Sequence, residues 1–103
     1  MIDDEPIIQV GLLWFEPDGG EQLYREYLAA SRPIVERHLG RSFVADSYAR
    51  LAMLRGELDP DAISINEFPS ASAITALLQD PDYPPELLRR ATTRVEIIQL
   101  RQN

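Results

Sequence analysis

The chain contains no cysteine, and that one absence removes disulfides, thiol catalysis and thiolate metal sites together. Lysine is also missing and histidine occurs once, at His38, so all ten basic charges are arginines. Seventeen acidic residues outweigh them, for a net charge of −7. Such a balance repels phosphate backbones, and the arginines are scattered, with Arg89-Arg90 the one adjacent pair, so no nucleic-acid partner is expected. There is no glycine-rich phosphate loop, no Gly-x-Ser-x-Gly and no His-Glu-x-x-His. Asp59-Pro60-Asp61 lacks the glycine and the terminal glutamate of a calcium loop. A lone histidine without carboxylates at ligand spacing builds no conventional zinc or haem site, so neither metal nor cofactor is expected. No apolar run reaches the roughly 18 residues that span a bilayer. Met1-Ile2-Asp3-Asp4-Glu5 is acidic where a secretory leader is basic, so the expectation is a cytoplasmic protein with no membrane partner.

What is present is a strand and helix pattern without repeats or linkers. A chain of 103 residues is one domain, with a core small enough for a dimer interface to matter; residues 1–6 are expected to be flexible. Ile7 to Phe15 is apolar on both faces and bounded by Pro6 and Pro17, which suits a central strand buried on two sides. Asp18 and Glu21 have the spacing of a capping box for a first helix. Its stripe is Leu23, Tyr27, Ile34 and His38, flanked by Tyr24, Leu28 and Val35, with Pro33 inside and Gly40 at its end. Arg41 to Leu54 alternates as a long second strand, followed by a turn at Gly56 and Asp59-Pro60-Asp61. Ala62 to Phe68 is a third strand. Ser70 caps a short helix with Ala71, Ile74, Leu77 and Leu78 inward, and Pro84-Pro85-Glu86 starts one or two further helical turns. Val95 to Leu100 closes the pattern as a fourth strand.

The order is βαββαβ, an α+β fold of ferredoxin-like type with a four-stranded antiparallel sheet under two helices. Crossover handedness puts the first and third strands in the middle. Alternation assigns Ile8, Val10, Leu12, Trp14, Ile63 and Ile65 to the face beneath the helices. The opposite face then carries Gln9, Gly11, Leu13, Phe15, Ser64, Asn66 and Phe68. Leu13, Phe15 and Phe68 are costly to leave in water, so a second copy is expected to pack on that face, with a cavity over Gly11, Ser64 and Asn66 inside the dimer.

Ile65-Asn66-Glu67-Phe68-Pro69-Ser70, the alanine-rich helix after it and Pro81-Asp82-Tyr83 resemble the family called domain of unknown function 1330, of the dimeric α+β barrel superfamily. Glu67-Phe68-Pro69-Ser70 matches that family's strand end in full. Asp82 replaces its glutamate before Tyr83, and its later arginine falls on Arg90. Tyr27 to Pro33 is similar to its first helix; its glycine pair after that helix is reduced here to Leu39-Gly40, and Arg55 stands for a glutamate before Gly56. The resemblance spans residues 7–100. It implies the fold and a homodimer and no reaction, since the wider superfamily mixes cofactor-free monooxygenases, haem enzymes and isomerases.

Few side chains stand out for chemistry. His38 is the natural acid–base candidate near neutral pH, although at a helix C-terminus it also serves the dipole. Glu67 is a candidate base and Asn66 a group to orient a ligand carbonyl, at a strand end where clefts form. Glu67 is alternatively expected to pair with Arg90 and anchor the last helix. Asp46 and Arg50 have the spacing of an edge pair. Tyr83 offers a hydroxyl to a pocket or packs on a helix, and Arg90 offers a guanidinium to a ligand. Three readings follow. The first is a homodimer of unassigned activity that binds a small organic molecule between sheet and helices. The second is a cofactor-independent enzyme, monooxygenase- or isomerase-like, acting on a small enolisable or aromatic substrate with Glu67 or His38 as base. The third is a structural or regulatory dimer with its faces packed shut.

Overall fold

The computed structural model describes residues 5–44 and 50–102. The apolar segment bounded by prolines forms strand β1 (Ile7–Phe15), followed by helix α1 (Gly20–Arg37), β2 (Arg41–Val44), β3 (Ala62–Phe68), α2 (Ala71–Gln79), α3 (Pro85–Ala91) and β4 (Thr92–Arg101). The four strands make one antiparallel sheet in the order β2-β3-β1-β4, with the first and third strands central as crossover handedness requires. Among the described residues no helix is long and apolar enough to cross a membrane.

Local differences from the expected pattern have physical causes. The capping box at Asp18 does not form: Gly19, at φ 79°, is the N-cap of α1 and supplies no side chain. A glycine there enters the left-handed region at no steric cost. At the other end His38 is the C-cap and Leu39 takes the left-handed turn at φ 66°, the role expected of Gly40. Gly40 is needed for closeness instead, since a Cβ on it would stand 2.7 Å from the Phe68 ring. Ser70 caps α2 as expected, its Oγ accepting from the Ala73 amide at 3.2 Å. Strand β2 is described over Arg41–Val44, and Arg50 to Leu54 are not part of it. Its register slips between Ser42 and Val44, and the side chains from Arg50 to Leu54 are exposed, with no burial to hold them in a ladder. Asp46 lies outside the described residues; Arg50 pairs with Asp59 at 2.9 Å. Glu5 pairs with Arg101 at 3.5 Å.

The largest correction concerns which face of the sheet the helices cover. Leu13 and Phe68, assigned by alternation to the open face, are 3% and 2% exposed. Phe68 packs with Ile34, Ile74 and Leu77 beneath α1 and α2. Leu13 packs with Tyr24 and Ala91 beneath α1 and α3, and Phe15 meets Tyr24 with ring centroids 5.3 Å apart. The pairing Gly11↔Ser64 and Gln9↔Asn66 carries those residues to the helix side as well. The open face therefore presents Ile8, Val10, Leu12 and Trp14 of β1, flanked in register by Ile63, Ile65 and Glu67 of β3 and by Arg94, Glu96, Ile98 and Leu100 of β4. Ile63, Ile98 and Leu100 are 41%, 62% and 49% exposed. A contiguous apolar stripe of this kind is unusual on a lone domain. Charged pairs sit at its two ends, Arg41 with Glu67 and Arg94 with Glu96, and the Arg94 guanidinium lies 4.4 Å from the centre of the Trp14 ring.

Candidate functional site

The helix-covered face holds two small cores, one around Phe68 and one around Leu13, and they do not meet. Between them lies a cavity of about 190 Å³. Its size follows from the residues that floor it. Gly11 has no side chain, and a Cβ there would come within 2.5 Å of Ser64 Oγ, so two facing positions of the central strands add almost no bulk. The walls are apolar: Leu13, Leu28, Val35, Phe68, Ile74 and Val95. The expected void over Gly11, Ser64 and Asn66 thus exists, but it lies under the helices of one chain rather than inside a dimer.

Polar groups enter the cavity from two sides. On the floor, Gln9, Asn66 and Ser42 stand side by side on β1, β3 and β2 because Gln9↔Asn66 and Ser42↔Asn66 are register partners. Ser42 Oγ donates to Asn66 Oδ1 at 2.6 Å, which leaves the Asn66 amide hydrogens for another acceptor. On the roof, Tyr27 of α1 and Tyr83 ahead of α3 bring their hydroxyls to 2.7 Å, with ring planes at 77°. Burial first, then Tyr83, drive the Tyr27 phenol far above its ordinary pKa, and burial lifts Tyr24 to about 12. These two phenols therefore stay protonated at physiological pH and are not bases there. Arg32 also lines the cavity.

The residues singled out in the sequence divide. Asn66 and Tyr83 line the cavity; His38, Glu67 and Arg90 do not. Glu67 pairs in register with Ile8 on the open face, and its carboxylate takes a hydrogen bond from Arg41 Nε at 3.1 Å. The expected Glu67–Arg90 pair is replaced by that contact, because β2 lies beside β3 while Arg90 is exposed on α3. His38 Nε2 donates to Asp80 Oδ2 at 2.8 Å, and Arg37 reaches the same oxygen at 2.9 Å. The pair joins the C-terminal end of α1 to that of α2, so the histidine serves as a clamp. Gln9, Ser31, Arg32 and Ser42 were missed. The signal for them was a polar side chain at a strand or helix position with buried neighbours two to four residues away; of the four, only Gln9 has a face in the sequence reading, and it is the open one.

The clamp has a pH signature. The Asp82 backbone N–H, then His38 and Arg37, hold the Asp80 carboxyl down at about 2. A carboxyl depressed in the folded state adds stability above its unfolded pKa of roughly 4 and loses it as the pH falls through the folded value. Asp80→Asn is accordingly expected to lower stability at pH 6, and the gap from the wild type to close between about pH 4 and pH 2. Urea melts at stepped pH check this; a gap that stays constant to pH 2 would remove the carboxylate from the clamp.

The family model for domain of unknown function (DUF1330) matches residues 20–101. No curated protein matches the sequence. Solved structures do. A Rhodopseudomonas palustris protein of unknown function is 25% identical, with a TM-score of 0.77 over 97% of this chain and 84% of that one. SnoaB, a cofactor-independent oxygenase from Streptomyces nogalater, is 19% identical, with a TM-score of 0.62 over 96% of this chain and 94% of its own. A dimeric ferredoxin-like protein of unknown function from Thermobifida fusca is 13% identical, with a TM-score of 0.56 over 99% and 95%. The last two show the ferredoxin-like fold alone.

Proposed function

From the premise that this chain belongs to the DUF1330 family, a family defined without a reaction, we propose that it is a homodimer whose protomers each bind a small organic molecule between helices and sheet. The cavity carries the reading. At about 190 Å³ it is on the order of the ~150 Å³ apolar cavities that accept a benzene ring, and it joins apolar walls to a few convergent polar groups. The apolar stripe on the other face supports the dimer: two sheets packed across it bury Val10, Ile65 and Ile98, as in sandwiches of aligned sheets. The Thermobifida fusca protein is itself described as dimeric.

Binding is a better fit than proton-abstraction chemistry. Among the described residues that line the cavity there is no carboxylate and no imidazole, and Tyr27 is held protonated. Toluene at ten times its dissociation constant is expected to stabilise the fold by about 1.4 kcal/mol. Gly11→Val, which fills the floor, is expected to abolish that shift. Melts with and without toluene decide; no shift in the wild type, or an equal shift in the variant, would refute the cavity as the site.

A further inference from the structure

We infer that the ligand is rod-shaped, a ring carrying a straight apolar chain, and that it lies across the strands with its chain leaving past Ile97 at the β4 edge; this rests on the binding role proposed above. The register lays out the floor. Gly11 of β1 stands between Ser64 of β3 and Ile97 of β4, and Asn66 of β3 stands between Ser42 of β2 and Gln9 of β1. All six line the same cavity, so its floor crosses all four strands, from one edge of the sheet to the other. Three inter-strand spacings come to roughly 14 Å, well beyond the span of a single ring. Phe68 and Leu13, one from each core, bound these two rows along the central strands.

Length and volume together set the shape. About 190 Å³ is little more than the ~150 Å³ that hold a benzene ring. Spread over that length, the space is narrow and favours a straight molecule over a branched one. Its two ends lie at residues that line it and yet meet solvent, Ser42 on β2 and Ile97 on β4, the latter 57% exposed. The two edges differ in chemistry. The polar groups of the floor, Ser42, Asn66, Ser64 and Gln9, stand on β2, β3 and β1, and Ser42 and Asn66 are bonded to each other at 2.6 Å. From β4 come Val95 and Ile97, both apolar, while Gln99, the register partner of Gln9, is outside the lining. Polar groups of the roof, on α1 and in the turn before α3, leave this difference between the edges of the floor unchanged. An apolar chain is therefore directed toward β4, where each methylene laid on Val95 and Ile97 leaves water. The ring rests over Gly11, where the floor has no side chain.

Two phenols of identical composition test the shape: 4-butylphenol, with a straight chain, and 4-tert-butylphenol, with a compact one, titrated by calorimetry at pH 7 beside toluene. The straight isomer is expected to bind at least ~10-fold more tightly, since each further methylene buried is worth about 4-fold in affinity. Both isomers carry the same carbons, so simple adsorption to the open apolar face of the sheet does not produce that ratio. Ile97→Thr, which keeps a β-branched residue on the edge strand, is expected to shrink the ratio, and Ile97→Asp to erase it. Equal affinities in the wild type, or a preference for the branched isomer, with toluene still bound, would overturn the rod while leaving the cavity reading intact. A straight-chain preference unchanged in the Ile97 variants would overturn the exit at β4. Failure of all three probes in the wild type would overturn both readings.

Discussion

Phe68→Ala is expected to cost about 3–5 kcal/mol of folding stability, the range for emptying a buried aromatic site. The ring is 2% exposed, packed by Ile34, Ile74 and Leu77, and touched from below by the backbone at Gly40, where even a methyl group has no room. Little can collapse into the space, since the nearest slack is the cavity that Phe68 itself helps to wall. Against a total of roughly 5–15 kcal/mol for a domain, the loss leaves a chain that is marginal at physiological temperature. Urea melts of both proteins measure it. A cost below about 1 kcal/mol, the value for an exposed side chain, together with weakened self-association, would return Phe68 to the open face and reverse the assignment of the sheet.

Val10→Asp is expected to act in the opposite way, on association rather than on the fold. Val10 lies in the middle of the open face, between Ile65 and Ile98 in register. A two-fold dimer through this face meets the same position on both copies, so one substitution places two carboxylates in an apolar contact. Burying each costs several kcal/mol, enough to shift the dimer proposed above to monomer at micromolar concentration. Light scattering of the wild type should give twice the 11.7 kDa chain mass, and of the variant the single mass, with helical circular dichroism retained. Trp14, the one tryptophan, shares that face and should shift its emission to the red as the interface opens. A variant that stays dimeric with unchanged tryptophan emission would place the interface elsewhere.

The sequence carried the fold further than it carried the site. Element order, the central position of β1 and β3, and the cap at Ser70 were legible because each depends on local chemistry or on chain handedness. The face assignment was not. Ile8, Val10, Leu12 and Trp14 form the more uniformly apolar row, and the usual rule sends the more apolar row under the helices. In this protein that row is left open on the chain, while the covered row gives up bulk at Gly11 and Ser64 and apolarity at Gln9 and Asn66. A one-residue choice of face moves every side chain, so one misreading carried Leu13, Phe15 and Phe68 with it. Asn66 and Tyr83, which line the cavity, stand out in the sequence because polar groups at strand ends and turns are visible as such. Glu67 was misplaced because it follows Asn66 by one residue and so points to the other side of the sheet. The pair of Tyr27 with Tyr83 joins positions 56 residues apart, and no local pattern could connect them.

The most direct measurement is the position of a bound ring. Crystals grown with iodobenzene, whose iodine scatters anomalously, are expected to show the iodine peak beneath α1, in contact with Leu13 and Phe68, at a matching place in every protomer. A peak on the Val10, Ile65 and Ile98 face instead, or no peak at saturating iodobenzene, would contradict the claim that the helix-covered face is where this protein binds its ligand.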